Sequence, residues 1–227
     1  MQESEATLDR ADEGASHEEP GALTAFAPEP LADANAPSIP DGTTVLHIGD
    51  SFAGALGLAL NQELAARNVR SVLRYKTASY IPSWAFSREI PRYLARSNPD
   101  LVLITLGANE LDIPEPGQRA RQVRRLIDQL GGVPCVWIAP PLWPAAREKH
   151  ALLQIIRESC APCRYLDSTA LVGELPRLRD GIHPSTEGRE MWAKAVLDWL
   201  ARERDPAGAR PWSLKAEVAS ETTAAAR

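Results

Sequence analysis

Short runs of apolar residues alternate along the chain with segments of helical period. Five runs predict β-strands, at 44–48, 71–75, 101–106, 133–139 and 164–167. The run 101–106 is almost entirely apolar, which indicates a strand buried on both faces. Between the runs, apolar residues recur three and four positions apart, and the last such segment predicts a helix over 186–203. These repeated strand–helix units predict a parallel five-stranded sheet covered by helices on both sides, a three-layer α/β/α sandwich.

Residues 1–42 differ from the rest of the chain in composition. They contain ten acidic residues against one basic residue, a net charge of −9, so the remainder of the 227-residue chain carries +4 of the total charge of −5. Five prolines and only scattered large apolar residues accompany these charges, and we expect a disordered leader or tether. We expect the folded domain over residues 43–204 and a loose C-terminal tail over residues 205–227.

Composition also limits location and partners. The sequence contains no apolar run of about 18 residues, so we expect no transmembrane segment. Its basic residues are spread over predicted helix surfaces, which argues against a nucleic-acid partner. Residues 1–42 lack the basic start and apolar stretch of an intact secretory signal. Two interpretations stay open, a cytoplasmic protein with an acidic tail and an extracytoplasmic protein (periplasmic, secreted or tethered) whose export signal has been removed. We favour the second.

A serine follows the first predicted strand, in the tripeptide Gly49-Asp50-Ser51. In parallel sheets, ligands bind beyond the carboxyl ends of the strands. A serine at such a strand-to-helix turn stands over the sheet edge, and its backbone N–H lies at a helix N-terminus that favours an anion. Ser51 therefore suits nucleophilic catalysis. The simpler alternative is that Asp50 or Ser51 only caps the helix.

Two further motifs supply the partners that a serine nucleophile needs. Gly-Ala-Asn-Glu at 107–110 follows the third predicted strand, and the amide of Asn109 can donate to an oxyanion without bringing charge. Asp180 and His183 precede the last predicted helix. His183 can take the serine proton, and Asp180 can orient the imidazole. Taken singly, each residue has a simpler interpretation: Asn109 as a turn asparagine, Asp180 as a loop aspartate and His183 as a surface histidine.

The three motifs together, in this order, resemble the blocks of the SGNH (GDSL-type) hydrolase family over about residues 43–203. The resemblance implies the flavodoxin-like fold of that family, with Ser51 as nucleophile, His183 as base and Asp180 as its orienting acid. It makes Asn109 an oxyanion-hole donor beside the N–H of Ser51. It implies no metal and no cofactor.

Two positions depart from the family pattern. Glu110 stands where the family usually has aspartate. The family also places a glycine after the second strand, whose N–H completes the oxyanion hole, but no glycine occurs between Gly57 and Gly107. The position makes Ala78 or Ser79 the candidate donor, because a backbone N–H needs glycine only where φ is positive or the substrate approaches closely. The oxyanion hole is therefore either preserved, with one of these N–H groups as donor, or weakened. Loss of one donor raises the reaction barrier by about 3–4 kcal/mol.

Cysteine and tryptophan residues add further expectations. Cys135 lies on the fourth predicted strand, and Cys160 and Cys163 lie just before the fifth. A Cys135–Cys163 disulfide, a Cys160–Cys163 disulfide and three reduced thiols all stay open, and a disulfide would favour an exported protein. Trp84 and Trp143 are expected on loops at the active-site edge, where each either binds substrate or packs in the core.

The resemblance implies a serine esterase that hydrolyses a small acyl ester, with O-acetyl groups on polysaccharide or peptidoglycan as the expected substrate. The expected partner is thus a small-molecule or glycan ester, and a lipid ester or thioester is an alternative. An O-acyltransferase to glycan and a non-catalytic glycan-binding relative with an impaired oxyanion hole also stay open. A flavodoxin-like nucleotide binder is disfavoured, because the sequence contains no glycine-rich phosphate-binding motif.

Overall fold

The computed structural model of the protein describes residues 38–216. Within this range the chain forms a sheet of five parallel strands in the order β2-β1-β3-β4-β5. The strands are β1 (Thr44–Gly49), β2 (Arg70–Tyr75), β3 (Leu101–Thr105), β4 (Cys135–Ile138) and β5 (Arg164–Leu166). All five strands predicted from the sequence are present, each within two residues of its predicted bounds.

Seven α-helices accompany the strands within the described range. They are α1 (Ser51–Ala65), α2 (Ile81–Ala85), α3 (Glu89–Ser97), α4 (Arg119–Asp128), α5 (Ala151–Ser159), α6 (Ser168–Val172) and α7 (Thr186–Glu203). Three 3₁₀ helices cover Ala108–Glu110, Pro116–Gln118 and Pro144–Ala146. The sequence pattern predicts neither α2 nor α6, because five residues are too few to display a helical period. No helix between residues 38 and 216 has the length and apolarity needed to cross a bilayer.

Alternate side chains of the strands enter two separate cores. In β3, Leu101 and Leu103 pack against the side covered by α1 and α7. Their neighbours Val102 and Ile104 pack against the side covered by α2, α3, α4 and α5. Every residue of β3 is buried, as the apolar run predicts. The three-layer α/β/α sandwich is therefore confirmed.

A disulfide joins the two last strands of the sheet. It connects Cys135 in β4 with Cys163, which directly precedes the neighbouring strand β5. Cys160 lies outside this bridge and is buried, with its Sγ 3.6 Å from the carbonyl oxygen of Cys163. Of the pairings left open by the sequence, the structure contains Cys135–Cys163.

The C-terminal segment 205–216 is packed against the domain, so the expectation of a loose tail from residue 205 is wrong for this part. Trp212 is fully buried in the core formed with α1 and α7, and its indole N–H donates to Thr43 Oγ1 at 2.9 Å. A single tryptophan in a segment rich in proline, glycine and polar residues has no periodicity from which its burial could be predicted. The predicted leader up to residue 37 and the tail from residue 217 lie outside the described residues.

Candidate active site

The turn between β1 and α1 presents Ser51 at the carboxyl end of the sheet. Gly49 ends β1 at a φ of 154°, and a Cβ there would lie 1.9 Å from the carbonyl oxygen of Thr105 in β3. Only glycine therefore allows the two strand ends to approach this closely. Asp50 then caps α1 by accepting the Phe52 N–H at 2.8 Å. Ser51 is the first residue of the helix, so its N–H has no acceptor within the helix.

Three predicted catalytic residues form a continuous chain of hydrogen bonds. Ser51 Oγ lies 2.9 Å from His183 Nε2. On the other side of the ring, His183 Nδ1 lies 2.7 Å from Asp180 Oδ2. An Nδ1–H donated to Asp180 leaves Nε2 as an acceptor for the serine proton. The structure thus brings together residues that are 132 positions apart in sequence, in the geometry of a Ser-His-Asp triad.

The loop that carries Asp180 and His183 is fixed by its own backbone. Asp180 Oδ1 accepts the N–H groups of Ile182 at 2.8 Å and of His183 at 3.0 Å. Gly181 between them has a φ of 69°, the left-handed conformation that glycine adopts without strain. The hydrogen bond from the His183 ring and these two backbone N–H groups lower the pKa of Asp180 to about 2. Asp180 therefore stays ionised at neutral pH.

The loop after β2 presents a backbone N–H where the family has its glycine. Ala78 has a φ of 55°, so it occupies the left-handed region that normally favours glycine. It lies at the third position of a turn closed by the Ser79 N–H, which donates to the carbonyl oxygen of Lys76 at 3.2 Å. Ser79 is therefore not an oxyanion donor through its N–H in this conformation, contrary to one of the two expectations. The N–H of Ala78 makes no hydrogen bond with any described residue.

Asn109 is held beside the same turn. Its Nδ2 donates to the carbonyl oxygen of Ser79 at 3.0 Å, which leaves a second amide N–H for another acceptor. Asn109 is exposed and follows Ala108, whose N–H approaches the carboxylate of Asp50 beside the nucleophile. The predicted donors Asn109 and Ala78 thus belong to one connected group of loops around Ser51.

Comparison with known proteins identifies the family of this chain. The pattern of the GDSL-like lipase/acylhydrolase family matches residues 38–191, more than half of the chain. The chain belongs to this family. The resemblance noted in the sequence is therefore confirmed, and the GDSL-like protein described here is an ester hydrolase. No curated protein sequence matches it.

Solved structures share the fold of this GDSL-like hydrolase at low sequence identity. TesA has a TM-score of 0.58 and 21% identity, with 70% of this chain and 97% of TesA covered. A mutant acetyl esterase with an acetate ion has a TM-score of 0.56 and 16% identity, with coverage of 70% and 97%. A catalytic mutant of Axe2, an acetylxylan esterase from Geobacillus stearothermophilus, has a TM-score of 0.50 and 16% identity, with coverage of 70% and 94%.

The two tryptophans predicted at the site of the hydrolase have different surroundings. Trp84 lies in α2 with 1% of its surface exposed, and its indole N–H donates to Ser79 Oγ at 2.9 Å. It therefore cannot contact substrate in this conformation and instead supports the turn that contains Ala78. Trp143 is half-buried and stacks on Phe52 at a ring distance of 5.9 Å.

Two residues near the triad of the hydrolase escaped the sequence-based predictions. Phe52, directly after the nucleophile, lies with its ring 5.2 Å from the ring of His183 and supports the imidazole from behind. Its position directly after Ser51 in the sequence motif could have indicated that it lies at the site. Arg177 donates to the carbonyl oxygens of Leu142 at 2.9 Å and of Ile182, so it ties the His183 loop to the loop after β4. An arginine in an irregular segment gives no sequence signal for such a role.

Two buried titratable groups flank the nucleophile turn. Burial raises the pKa of Asp50 to about 7, although the nearby backbone N–H groups of Phe52 and Gly107 oppose the shift. Burial lowers the pKa of His47 to about 3, and the side chain contacts Thr105 Oγ1 at 2.9 Å. His47 is thus packed within β1. Between residues 38 and 216, no three histidine, cysteine, aspartate or glutamate side chains are grouped so that they could hold a metal.

Proposed function

We propose that this hydrolase cleaves small acyl esters, with O-acetyl groups on polysaccharide or peptidoglycan as its substrate class. The observation that carries the proposal is the hydrogen-bonded series Ser51 Oγ, His183 Nε2, His183 Nδ1 and Asp180 Oδ2. The acetyl ester as substrate is supported by fold neighbours described as an acetyl esterase and an acetylxylan esterase.

In the proposed mechanism, His183 Nε2 takes the proton from Ser51 Oγ as the oxygen attacks the ester carbonyl carbon. Asp180 stabilises the imidazolium that forms and holds its Nδ1–H. The alcohol leaves with the proton from His183, and an acyl-enzyme forms on Ser51. A water molecule then gives a proton to His183 and attacks the acyl carbon, and His183 returns this proton to Ser51 Oγ as the bond between Ser51 and the acyl group breaks and the acid leaves.

The negative charge of the tetrahedral intermediate needs donors that are already in place. We assign this role to the N–H groups of Ser51 and Ala78 and to the amide of Asn109. The first two point to no acceptor within the described residues, and Asn109 keeps one amide hydrogen after its bond to Ser79. Each such donor contributes about 3–4 kcal/mol to lowering the barrier.

Hydrolysis is favoured over transfer to a glycan because water can reach the base. The His183 side chain is 32% exposed and the Asp180 side chain is 42% exposed. A transferase must protect its acyl-enzyme from water, and such exposure does not favour that protection. The positive φ of Ala78 also argues against a non-catalytic glycan-binding relative. The backbone at this position has a left-handed conformation typical of glycine, although the residue is alanine.

We further propose that the protein acts in an oxidising, extracytoplasmic compartment. The disulfide between Cys135 and Cys163 supports this location, because disulfides persist mainly outside the cytoplasm. Counting thiols in the unfolded protein, with and without prior reduction, tests the bridge: one reactive thiol without reductant and three with it are expected. Three thiols without reductant would remove this support.

The substrate class is tested by measuring kcat/KM on p-nitrophenyl acetate, butyrate, octanoate and palmitate, beside release of acetate from acetylated xylan and acetylated peptidoglycan. We expect the highest kcat/KM with acetate and acetate release from at least one polymer. The Ser51→Ala variant is the matched control for non-enzymatic hydrolysis. A preference for octanoate or palmitate would replace the acetyl ester by a lipid ester. Acetylated oligosaccharide products formed with an acceptor present would indicate transfer.

A further inference from the structure

Glu110 is a buried acidic residue to which the proposed mechanism gives no role. Its side chain is fully buried, and one carboxylate oxygen accepts a hydrogen bond from Nε of Arg119. The other oxygen, Oε2, accepts the backbone N–H of Ile81 at 2.6 Å. Removal of either partner would leave a buried charge without compensation for its lost hydration.

Ile81 is the first residue of α2, and only Tyr80 separates it from the turn with Ala78, which ends at Ser79. The residue before the helix, Tyr80, provides no side-chain cap. Glu110, 29 positions later in the sequence, accepts the free N–H instead. The contact therefore fixes the start of α2, and with it the downstream end of the turn, to the 3₁₀ helix that also carries Asn109.

Ser79 is fixed from two further directions. Its carbonyl oxygen accepts Asn109 Nδ2 at 3.0 Å, and its hydroxyl accepts the indole N–H of Trp84 at 2.9 Å. These contacts surround Ala78, which has a left-handed backbone without being glycine. A non-glycine residue keeps this conformation only where its surroundings impose it.

We propose that Glu110, paired with Arg119, is a positioning residue that holds the Ala78 N–H in place as an oxyanion donor. The inference rests on the proposed function, and it explains why this chain has glutamate where the family usually has aspartate. The contact to Ile81 requires the length of glutamate, because aspartate is one methylene shorter and cannot hold Arg119 and the Ile81 N–H from the same backbone position. Glu110 touches no reacting atom in this scheme.

The test compares Glu110→Asp with Glu110→Gln in the full chain, using p-nitrophenyl acetate. Glutamine keeps the length and can still accept the Ile81 N–H, whereas aspartate restores the usual family residue but loses the reach. We expect Glu110→Asp to lower kcat at least tenfold with KM within about twofold of the parent. Glu110→Gln should retain more of kcat than Glu110→Asp. The exposed Glu115→Asp is the matched control and should leave both constants unchanged.

A Glu110→Asp variant with the kcat of the parent, or with more activity than Glu110→Gln, would overturn the inference. So would a rise in KM at constant kcat, which would place Glu110 in substrate binding. Circular dichroism and Tm identify a variant that fails to fold, and in that case Arg119→Gln replaces it. Arg119→Gln is expected to lower kcat at constant KM, and an unchanged kcat there contradicts the proposal. If the parent cleaves no ester, the proposed function fails instead.

Discussion

The two halves of the candidate active site are built in different ways. The nucleophile half, with Ser51, Asp180 and His183, is made of short local units. Asp180 and His183 share one turn three residues apart, and Ser51 lies two residues after the end of β1. A tight turn of this kind aims its own side chains, so a few neighbouring residues suffice to specify it.

The oxyanion half, with Ala78 and Asn109, is made of contacts between distant segments. Asn109 reaches Ser79 over 30 positions, and Glu110 reaches Ile81 over 29 positions. These contacts hold a left-handed backbone at Ala78, close to where the resemblance would place a glycine. The difference teaches that each side chain of the nucleophile half is oriented by its own short motif, although Ser51 and His183 meet across 132 positions, whereas the proposed oxyanion donors are positioned by contacts between distant segments. Variants in the first half should therefore abolish turnover, and variants in the second should reduce it by degrees.

Ser51→Ala gives the largest effect that this comparison predicts. Removal of the nucleophile should lower kcat on p-nitrophenyl acetate by about 10⁴- to 10⁶-fold, since only binding and the oxyanion donors remain. Ser83→Ala, an exposed serine in α2, is the control and should keep normal turnover with the same Tm. Turnover within tenfold of the parent in Ser51→Ala would remove the nucleophile half from the chemistry altogether.

Asp180→Asn tests how much of the nucleophile half depends on charge. The carboxylate is ionised throughout the working pH range because its pKa is about 2, and asparagine cannot stabilise the imidazolium. We expect kcat to fall about 10³-fold with an unchanged far-ultraviolet spectrum. The effect is smaller than for a fully buried acid because the side chain is partly exposed. The exposed Asp198→Asn in α7 serves as control. A loss below tenfold would mean that Phe52 and the loop backbone alone orient His183.

Asp50→Asn separates the stability of the nucleophile turn from its chemistry. The pKa of Asp50 is about 7 in the folded protein against 3.8 for the free side chain, so the folded state retains a proton that the unfolded chain has lost. The stability from this group is complete below about pH 4 and is lost as the pH rises through about 7. The loss amounts to about 4 kcal/mol, and Asp50→Asn should remove it.

His47 produces the opposite slope, because its pKa is about 3 in the folded protein and 6.5 in the free side chain. Its stabilising contribution is complete above about pH 6.5 and is lost on acidification. Urea denaturation between about pH 4 and pH 8 should therefore show stability falling on acidification in Asp50→Asn, and a flatter profile in the parent. Parallel profiles for the two proteins would contradict the proton uptake assigned to Asp50.

The sequence predicts the features of this molecule that short segments encode. The strands follow from apolar runs, since the period of two and full burial are local properties. Ser51, Asp180 and His183 lie in recognisable loops for the same reason, and the structure places their side chains in hydrogen-bond contact. Family membership was predicted from the same loops and is confirmed.

Features decided by tertiary packing were not predictable in this way. The burial of Trp84 and Trp212 depends on which segments fold over them. The choice between Ala78 and Ser79 depends on φ at one residue and on which N–H closes the turn. The acceptor role of Glu110 requires two segments to meet at the edge of the sheet. None of these is a property of its own sequence neighbourhood.

Asn109→Ala addresses the oxyanion half directly. Loss of one donor should lower kcat on p-nitrophenyl acetate about 100-fold, equivalent to about 3 kcal/mol, and change KM little. Asn109→Asp keeps the shape but replaces the donor by an anion, so its kcat should fall further. If KM rises while kcat stays constant, Asn109 binds the ground state and does not act on the transition state. Equal activity of the two variants would show that the amide does not face developing negative charge.

Ala78→Gly should have the smallest effect. The sign of its change in stability tests whether the backbone of the oxyanion half is strained. The left-handed φ strains alanine but not glycine, so the substitution should increase the free energy of unfolding by about 0.5–1 kcal/mol and leave kcat unchanged or slightly higher. The exposed Ala95→Gly in the last turn of α3 is the matched control, where the same change should cost up to about 1 kcal/mol. If both variants lose stability equally, Ala78 is not strained. If Ala78→Gly is more stable but its kcat falls at least tenfold, the turn must be rigid to hold the donor. In that case alanine and the contacts around it supply a rigidity that glycine would not.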